Sequence, residues 1–267
     1  MSGLHAVRRT VAFQFGRRTF ATVREAPSFR FAKPLLWGTC FTLPAAFALW
    51  NAISLDTEPV SDSVVDPDTS IQFPKHLRVQ SQVPLPMYSL LGCGCRTVSF
   101  LGIKVYSVGF YADMTNPRLK DIPKSATPEE KIKFIVDNTT CLLRIVPTRN
   151  TSYSHLRDAF IRTLNGRMQK NIQDKVMTIE DATTEQSPIT KLKSMFPNSK
   201  FAKYEPLEIL VTPPDISQPR TLIVRDLGTV SSTWVATTLF MSYFEGLGLS
   251  PPMKDAVWKT LKGVGRD

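Results

Sequence analysis

The sequence predicts an α+β domain with an antiparallel sheet, because its strand-like and helix-like segments come in groups rather than in strict alternation. Two segments near the start of this domain, 71–83 and 88–111, favour strands through their β-branched and aromatic residues. Helices are predicted to dominate the later part of the chain. The 267 residues are enough for one large domain and an N-terminal tail.

The segment 90–111 organises the prediction, since it favours two long strands folded back at Leu101 and Gly102. A two-residue turn requires Gly first or a positive φ at both central positions, and Leu101 suits neither. A three-residue loop from Phe100 to Gly102, with Gly102 left-handed, is the better match. This loop sets Arg96 opposite Tyr106 in the predicted register.

Side-chain alternation then places Gly92 and Gly94 on the same sheet face as Arg96. A fixed positive charge and the Tyr106 phenol therefore stand beside bare backbone. Such a place admits the close approach of a ligand or of a helix.

The other elements follow in order from local signals. Thr127 opens a helix to about Asp137, with Pro and Glu in the positions of a capped first turn. Ser152 can cap a helix to about Lys170, and Pro188 is a possible break in a helix over 179–196. The remaining predictions are a buried strand at 141–146, a hairpin of 206–212 with 221–226, and helices over 232–245 and 250–262.

The first 33 residues carry most of the net charge of +10, since seven Lys or Arg residues stand there beside one acid, Glu25. An Arg-rich, hydroxyl-rich and acid-poor start is typical of a mitochondrial transit peptide, whereas a disordered basic tail is the alternative. The remainder is only mildly basic. The charge distribution therefore argues against a nucleic-acid partner.

The segment 34–55 has no charged residue and is long enough to cross a bilayer, with Trp37 and Trp50 near its two ends. We therefore predict a single transmembrane helix there, although Pro44 interrupts the pattern. Basic residues precede the segment and acidic residues follow it. With the arm in the matrix, this asymmetry predicts an inner-membrane anchor and a C-terminal domain in the intermembrane space. The acidic stretch 56–69 is predicted to be a linker, and 70–267 the folded domain.

General catalytic and metal signatures are absent from the sequence. The predicted domain has only two histidines, His76 and His155, so we expect no multi-histidine metal site and no required cofactor. Cys93 and Cys95 share one face of a strand, where two neighbours are poorly placed to close a tetrahedral site. Arg96 has two open interpretations, a surface arginine paired with a carboxylate or an anion-binding arginine at the base of a cleft.

The strand with Gly94 and Arg96, the Gly102 turn and the strand ending Val-Gly-Phe-Tyr resemble the first core hairpin of chalcone isomerases. More closely, they resemble the chalcone-isomerase-like proteins of fungal mitochondria named for altered inheritance of mitochondria. The resemblance covers about 70–267. It implies an open-faced β-sandwich, in which helices cover one side of a large antiparallel sheet.

In the plant enzymes of this family, a strand arginine matched here by Arg96 holds a ketone or phenolate oxygen. Tyr106 stands where a threonine helps to polarise the carbonyl, Tyr153 corresponds to a helix tyrosine, and Ser242 to a threonine or serine. Phe160 replaces an asparagine of the family. The resemblance thus implies ligand contacts by Arg96, Tyr106, Tyr153 and Ser242. It also implies that much of the set of residues specific for flavonoids in the plant enzymes is lost.

Three functions remain open at this point. The preferred one is a membrane-anchored protein that binds a carboxylated apolar ligand, a fatty acid or haem, since relatives of both kinds exist in the family. His155 is then the candidate haem ligand. The second is an isomerase, an intramolecular lyase, acting on an enone through Arg96, Tyr106 and Ser242. The third is a structural membrane-tethered module.

Overall fold

The computed structural model of the protein describes residues 62–80, 85–98 and 101–265. The predicted transit peptide at 1–33 and the predicted transmembrane helix at 34–55 lie outside these residues. Among the helices that are described, none combines the length and the apolar character needed to cross a membrane.

A seven-stranded, fully antiparallel sheet forms the centre of the domain, as predicted. Its spatial order is β11-β10-β9-β6-β5-β4-β3. The strands are β3 (His76–Leu77), β4 (Tyr88–Val98), β5 (Ile103–Ala112), β6 (Cys141–Pro147), β9 (Leu207–Val211), β10 (Thr221–Val224) and β11 (Gly228–Ser231). Within the described residues there are also two two-stranded pairs, β1 (Ser63–Val65) with β2 (Gln72–Pro74), and β7 (Thr151–Ser152) with β8 (Lys200–Phe201).

The β4–β5 hairpin has the predicted register up to Arg96 and Tyr106, but Val98 then pairs with Ile103, whereas the predicted three-residue loop required Ser99 opposite Ile103. Arg96 lies opposite Tyr106, and Gly102 has a φ of +63°. A register shift between Arg96 and Thr97 brings Thr97 opposite Lys104. The hairpin therefore closes through a bulge next to Arg96, and bulges increase the local twist of a strand pair.

Five α-helices cover one face of the sheet, and the apolar residues between them form the main core. They are α1 (Pro128–Asn138), α2 (Tyr153–Gln173), α3 (Ile179–Met195), α4 (Thr233–Met241) and α5 (Pro251–Leu261). Thr127 and Glu130 form the predicted capping box, and Ser152 caps α2 as predicted. The predicted helix over 179–196 is confirmed as α3, and Pro188 lies inside it without ending it.

Gly92 and Gly94 of β4 allow α5 to pack closely against the sheet. Of the two predicted possibilities, a ligand or a helix beside these glycines, the structure shows the helix. A Cβ atom on Gly92 would stand 2.6 Å from the backbone nitrogen of Val257, and one on Gly94 would stand still closer to that of Met253. Side chains at either position would hold α5 away from the sheet. The ligand-accessible part of this face is therefore displaced towards Arg96 and Tyr106.

The opposite face of the sheet packs on the β1–β2 pair, which lies partly within the predicted linker 56–69. Phe73 is fully buried in a second apolar cluster there. Asp66 is also fully buried, and its carboxylate accepts hydrogen bonds from the hydroxyls of Ser107 at 2.5 Å and Thr69 at 2.8 Å. Residues 63–69 thus belong to the folded domain rather than to a linker, because buried partners satisfy this carboxylate.

Three buried cations stabilise the C-terminal ends of helices. The Arg220 guanidinium donates to the carbonyls of Val136 and Thr139 at the end of α1. Lys131 donates to the carbonyls of Leu261 and Val264 after α5. Lys254 donates to the carbonyl of Gly246 at 2.5 Å, in the turn after α4. Val136 and Leu261 lie in the last turns of α1 and α5, where positive charge is favourable, whereas Lys254 bonds within the turn that follows α4.

Candidate functional site

A cleft of about 270 Å³ opens beside the end of the β4–β5 hairpin, between the sheet and the first turns of α2. One part of its lining is apolar: Val98, Val105, Pro147, Leu156, Ala159 and Phe201. The other part is polar: Arg96, Tyr106, Arg149, Thr151, His155, Asp158 and Arg162. Apolar walls with a few convergent polar groups are the usual composition of a small-molecule site.

Arg96 and Tyr106 meet at the base of this cleft. The Arg96 guanidinium lies 5.8 Å from the centre of the Tyr106 ring, and its Nη1 donates to the Tyr106 hydroxyl at 3.4 Å. That hydroxyl is also 2.9 Å from the hydroxyl of Tyr243, which comes from the end of α4. Tyr243 is fully buried, and this burial holds the pKa of its phenol well above the ordinary value.

This arrangement makes Tyr106 a hydrogen-bond donor to the cleft. Its oxygen can accept from Arg96 and from Tyr243, since a phenol oxygen offers two lone pairs. The Tyr106 proton is then free for an oxygen atom of a ligand. Arg96 can donate to the same ligand with the remaining N–H groups of its planar guanidinium. Together the two side chains can hold a carboxylate, an enolate or a carbonyl oxygen.

The arginines of the cleft have no carboxylate partner among the described residues. Arg96, Arg149 and Arg162 all lie more than 4 Å from any described Asp or Glu oxygen, by contrast with the ion pairs formed elsewhere in the domain. Asp158 also lines the cleft, but its Oδ1 accepts from Arg157 at 2.9 Å, which lowers the pKa of Asp158. The cleft therefore carries excess positive charge.

His155 lines the same cleft from the first turn of α2, where its backbone N–H donates to Ser152 Oγ. Its side chain is exposed, and its Nδ1 is 3.3 Å from Thr151 Oγ1. The structure thus brings the predicted haem-ligand candidate together with Arg96 and Tyr106.

Tyr153 and Ser242, the other two predicted site residues, are placed differently. Tyr153 stacks on Phe201 with 4.5 Å between ring centres, and so supports an apolar wall of the cleft from behind. The Ser242 hydroxyl is buried and donates to the carbonyl of Leu239 at 2.6 Å. Ser242 does not line the cleft. The neighbouring Tyr243 is the residue of this segment that reaches Tyr106.

Phe160, the departure from the family pattern, is a core residue in the structure. It is buried and lies edge-on to Phe196 of the α3 end, with 6.1 Å between ring centres. It does not line the cleft. An apolar side chain at this position therefore fits the packing of α2 against α3.

Cys93 and Cys95 belong to the opposite face of β4 from Arg96. Both are buried, and this burial raises the pKa of each thiol to about 11. Within the described ranges, no three His, Cys, Asp or Glu side chains come together in a way that could hold a metal ion.

A family model described as chalcone isomerase like matches residues 86–132 and 114–258, and the chain belongs to this family. The "Altered inheritance of mitochondria protein 18, mitochondrial" of Kluyveromyces lactis is 24% identical over 243 residues, covering 78% of this chain and 71% of that protein. The protein of the same name from Vanderwaltozyma polyspora is 26% identical over 252 residues, covering 74% of each chain.

A solved structure also has this fold. The crystal structure of an Arabidopsis thaliana fatty-acid binding protein matches with a TM-score of 0.58 and 18% sequence identity, covering 75% of this chain and 98% of that chain. The α+β architecture with a large antiparallel sheet and helices on one face is therefore that of the chalcone isomerase-like fold. At this identity the match concerns the fold alone.

Proposed function

We propose that the domain binds an apolar ligand that carries a carboxylate, with the carboxylate on Arg96 and Tyr106. The observation that carries this proposal is that Arg96, half-buried at the base of a cleft with apolar walls, has no described carboxylate within 4 Å. An unpaired guanidinium in such surroundings gains most from a ligand that brings its own negative charge. The fold of the Arabidopsis fatty-acid binding protein supports a fatty acid as the first candidate.

We further propose that the protein acts in mitochondria, anchored in the inner membrane by 34–55, with the domain in the intermembrane space. The relatives from Kluyveromyces lactis and Vanderwaltozyma polyspora, whose names say mitochondrial, support this location. The basic arm, the uncharged segment and the acidic residues after it support the orientation. Import with protease protection in mitoplasts tests it, and a domain that resists external protease after rupture of the outer membrane would contradict it.

Haem is a second candidate ligand, since His155 lines the same cleft as Arg96. The residues fit haem in part: one imidazole is available for the iron and arginines are available for the propionates, while the described lining residues include no second sulfur or imidazole ligand. Titration of the full chain with haemin, followed in the visible spectrum, tests this candidate. A spectral change that persists in His155→Ala would contradict ligation by His155.

The isomerase and the purely structural module are the remaining alternatives. An isomerase acting on an enone would depend on Arg96 and Tyr106, because the Ser242 hydroxyl bonds to Leu239 rather than facing the cleft. Binding of a carboxylate requires only Arg96 and Tyr106, and we therefore favour ligand binding over isomerisation. A structural module predicts that Arg96→Gln changes at most the stability.

Calorimetric titration of the full-length chain, in a non-ionic detergent, with tetradecanoate tests the proposed function. We expect Arg96→Gln to weaken binding about tenfold or more, since a charge-assisted pair of hydrogen bonds is lost. Arg118→Gln is the matched control, because Arg118 is exposed and bonds to Asn138 away from the cleft. Equal affinities of the wild type and Arg96→Gln would refute the proposed site.

A further inference from the structure

We propose that Arg149 and Arg162 form a second anion subsite at the mouth of the cleft, so that the ligand carries two acidic groups on one apolar body. This inference rests on the proposed function, which assigns the first acidic group to Arg96 and Tyr106. Both additional arginines line the cleft, and both are exposed.

The fold brings the two arginines to the cleft from different elements. Tyr106 lies between Arg96 on one side and Pro147 of β6 on the other, in one row across the sheet. Arg149 follows two residues after Pro147. Arg162 lies on α2 one turn after Asp158 and two turns after His155, so that the three side chains share a helix face. The mouth is thus formed by the end of the sheet and by that face of α2.

The charges at the cleft differ from those in the rest of the domain. Arg144 and Arg225 share the buried carboxylate of Glu208, with Nη1-to-carboxylate distances of 2.5 Å each. Arg167 is paired with Glu245. Arg149 and Arg162, by contrast, have no described carboxylate within 4 Å; the acid beside them, Asp158, is paired with Arg157, and its charge interacts with Arg162 only at longer range.

One carboxylate does not account for three arginines. The guanidinium of Arg96 alone can bind a carboxylate through two parallel hydrogen bonds, assisted by Tyr106. Two more cations at the mouth repel one another and Arg96 unless an anion lies between them. A second oxyanion on the ligand, a carboxylate or a phosphate, relieves this repulsion and accepts the planar donors of Arg149 and Arg162.

An anionic bilayer surface is the other partner that two exposed arginines could meet. The concave position of both residues favours the ligand instead. They line the same cleft as half-buried Arg96 and the apolar side chains of Leu156 and Phe201. A bilayer would contact the outer surface of the domain rather than the lining of this cleft.

The test compares two ligands on the full-length chain by calorimetry. Tetradecanoate has one carboxylate, and 2-dodecylsuccinate is the same acid with a carboxymethyl branch, which adds the second. We expect the wild type to bind 2-dodecylsuccinate about tenfold more tightly, as one further charged contact implies. In the double variant Arg149→Gln/Arg162→Gln we expect this preference to disappear, because the affinity for 2-dodecylsuccinate falls by more than the affinity for tetradecanoate.

The outcomes separate this inference from the proposed function. If tetradecanoate binding depends on Arg96 but both acids bind equally well, the proposed function stands and the second subsite is wrong. A preference that survives in the double variant overturns the second subsite as well. If neither acid binds, both proposals fail. Arg118→Gln serves again as the control for loss of an exposed charge.

A second arm tests the bilayer as the source of the anion. The same double variant is mixed with vesicles of phosphatidylcholine and phosphatidylserine, beside vesicles of phosphatidylcholine alone. We expect no difference from the wild type in the extent of binding. A loss of binding to the anionic vesicles, together with an unchanged preference for 2-dodecylsuccinate, would assign the two arginines to the membrane surface and overturn the inference.

Discussion

The hydrogen bond between Tyr106 and Tyr243 should respond very differently to removal from its two ends. Tyr243 is fully buried, with Tyr106 as the described hydrogen-bond partner of its hydroxyl, whereas the Tyr106 hydroxyl, which is also buried, accepts a second hydrogen bond from Arg96. Tyr106→Phe therefore leaves a buried hydroxyl without this partner, which costs about 2 kcal/mol. Tyr243→Phe leaves the Tyr106 hydroxyl bonded to Arg96, and we expect a cost of about 1 kcal/mol or less.

The double variant Tyr106→Phe/Tyr243→Phe completes the test, because it removes both hydroxyls and leaves neither unsatisfied. We expect its free energy of unfolding to resemble that of Tyr243→Phe and to exceed that of Tyr106→Phe. Urea denaturation of the full-length variants, with tryptophan fluorescence as the signal, gives the three differences. Equal losses in the two single variants, or additive losses in the double variant, would refute the assignment of Tyr106 as the hydroxyl with a second hydrogen-bond partner.

Three further predictions concern the residues that support the site. Gly94→Ala should lower the free energy of unfolding by about 2 kcal/mol or more, since its Cβ would overlap the backbone of α5. Gly166→Ala is the control: Gly166 is exposed with nothing within 4 Å of its Cβ position, so this variant should raise the free energy of unfolding by up to about 1 kcal/mol. Thermal unfolding of both variants gives the comparison. Arg220→Met should lower the free energy of unfolding by about 3 kcal/mol, as the α1 carbonyls lose a charged donor, and an unchanged urea midpoint would contradict this role. Cys93, whose pKa of about 11 exceeds the ordinary value of 9.0, should react slowly with thiol reagents at neutral pH. Its protonated thiol stabilises the fold below pH 9, and this contribution is lost between pH 9 and 11. The free energy of unfolding measured as a function of pH checks this loss.

The β4–β5 hairpin was predictable because its signals are local. The positive φ of Gly102 and the pairing of Arg96 with Tyr106 follow from turn chemistry and strand periodicity within one short segment. The approach of a helix to Gly92 and Gly94 was predicted as one of two possibilities. Its identity as α5 depends on contacts between segments far apart in the sequence, which no local pattern specifies.

The β1–β2 pair was missed because its sequence is acidic and contains proline, which is typical of linkers. Asp66 instead forms buried hydrogen bonds with Ser107 and Thr69. The predicted long strand over 71–83 became β2 and the two-residue β3. Strand β11, at the edge of the sheet, was also missed, since Gly228–Ser231 has only one buried apolar residue.

The sequence predicted the kind of side chains at the candidate site better than it predicted which residues form the site. Arg96 and Tyr106 meet as expected, because cross-strand pairing places them opposite one another. At the end of α4, the family alignment selected Ser242, whereas helix geometry turns Tyr243 towards Tyr106. An uncharged helix rich in apolar residues, followed two residues later by a single phenol, is the signal that could have identified Tyr243 from the sequence.

The most direct test of the central claim is to identify what the protein carries. The full-length chain, Arg96→Gln and the control Arg118→Gln would be purified from the same cells in non-ionic detergent, and their organic extracts compared by mass spectrometry. We predict an apolar acid in stoichiometric amount with the wild type and Arg118→Gln, and its loss from Arg96→Gln. No such acid in any sample, or the same amount in all three, would contradict a carboxylate-binding site at Arg96.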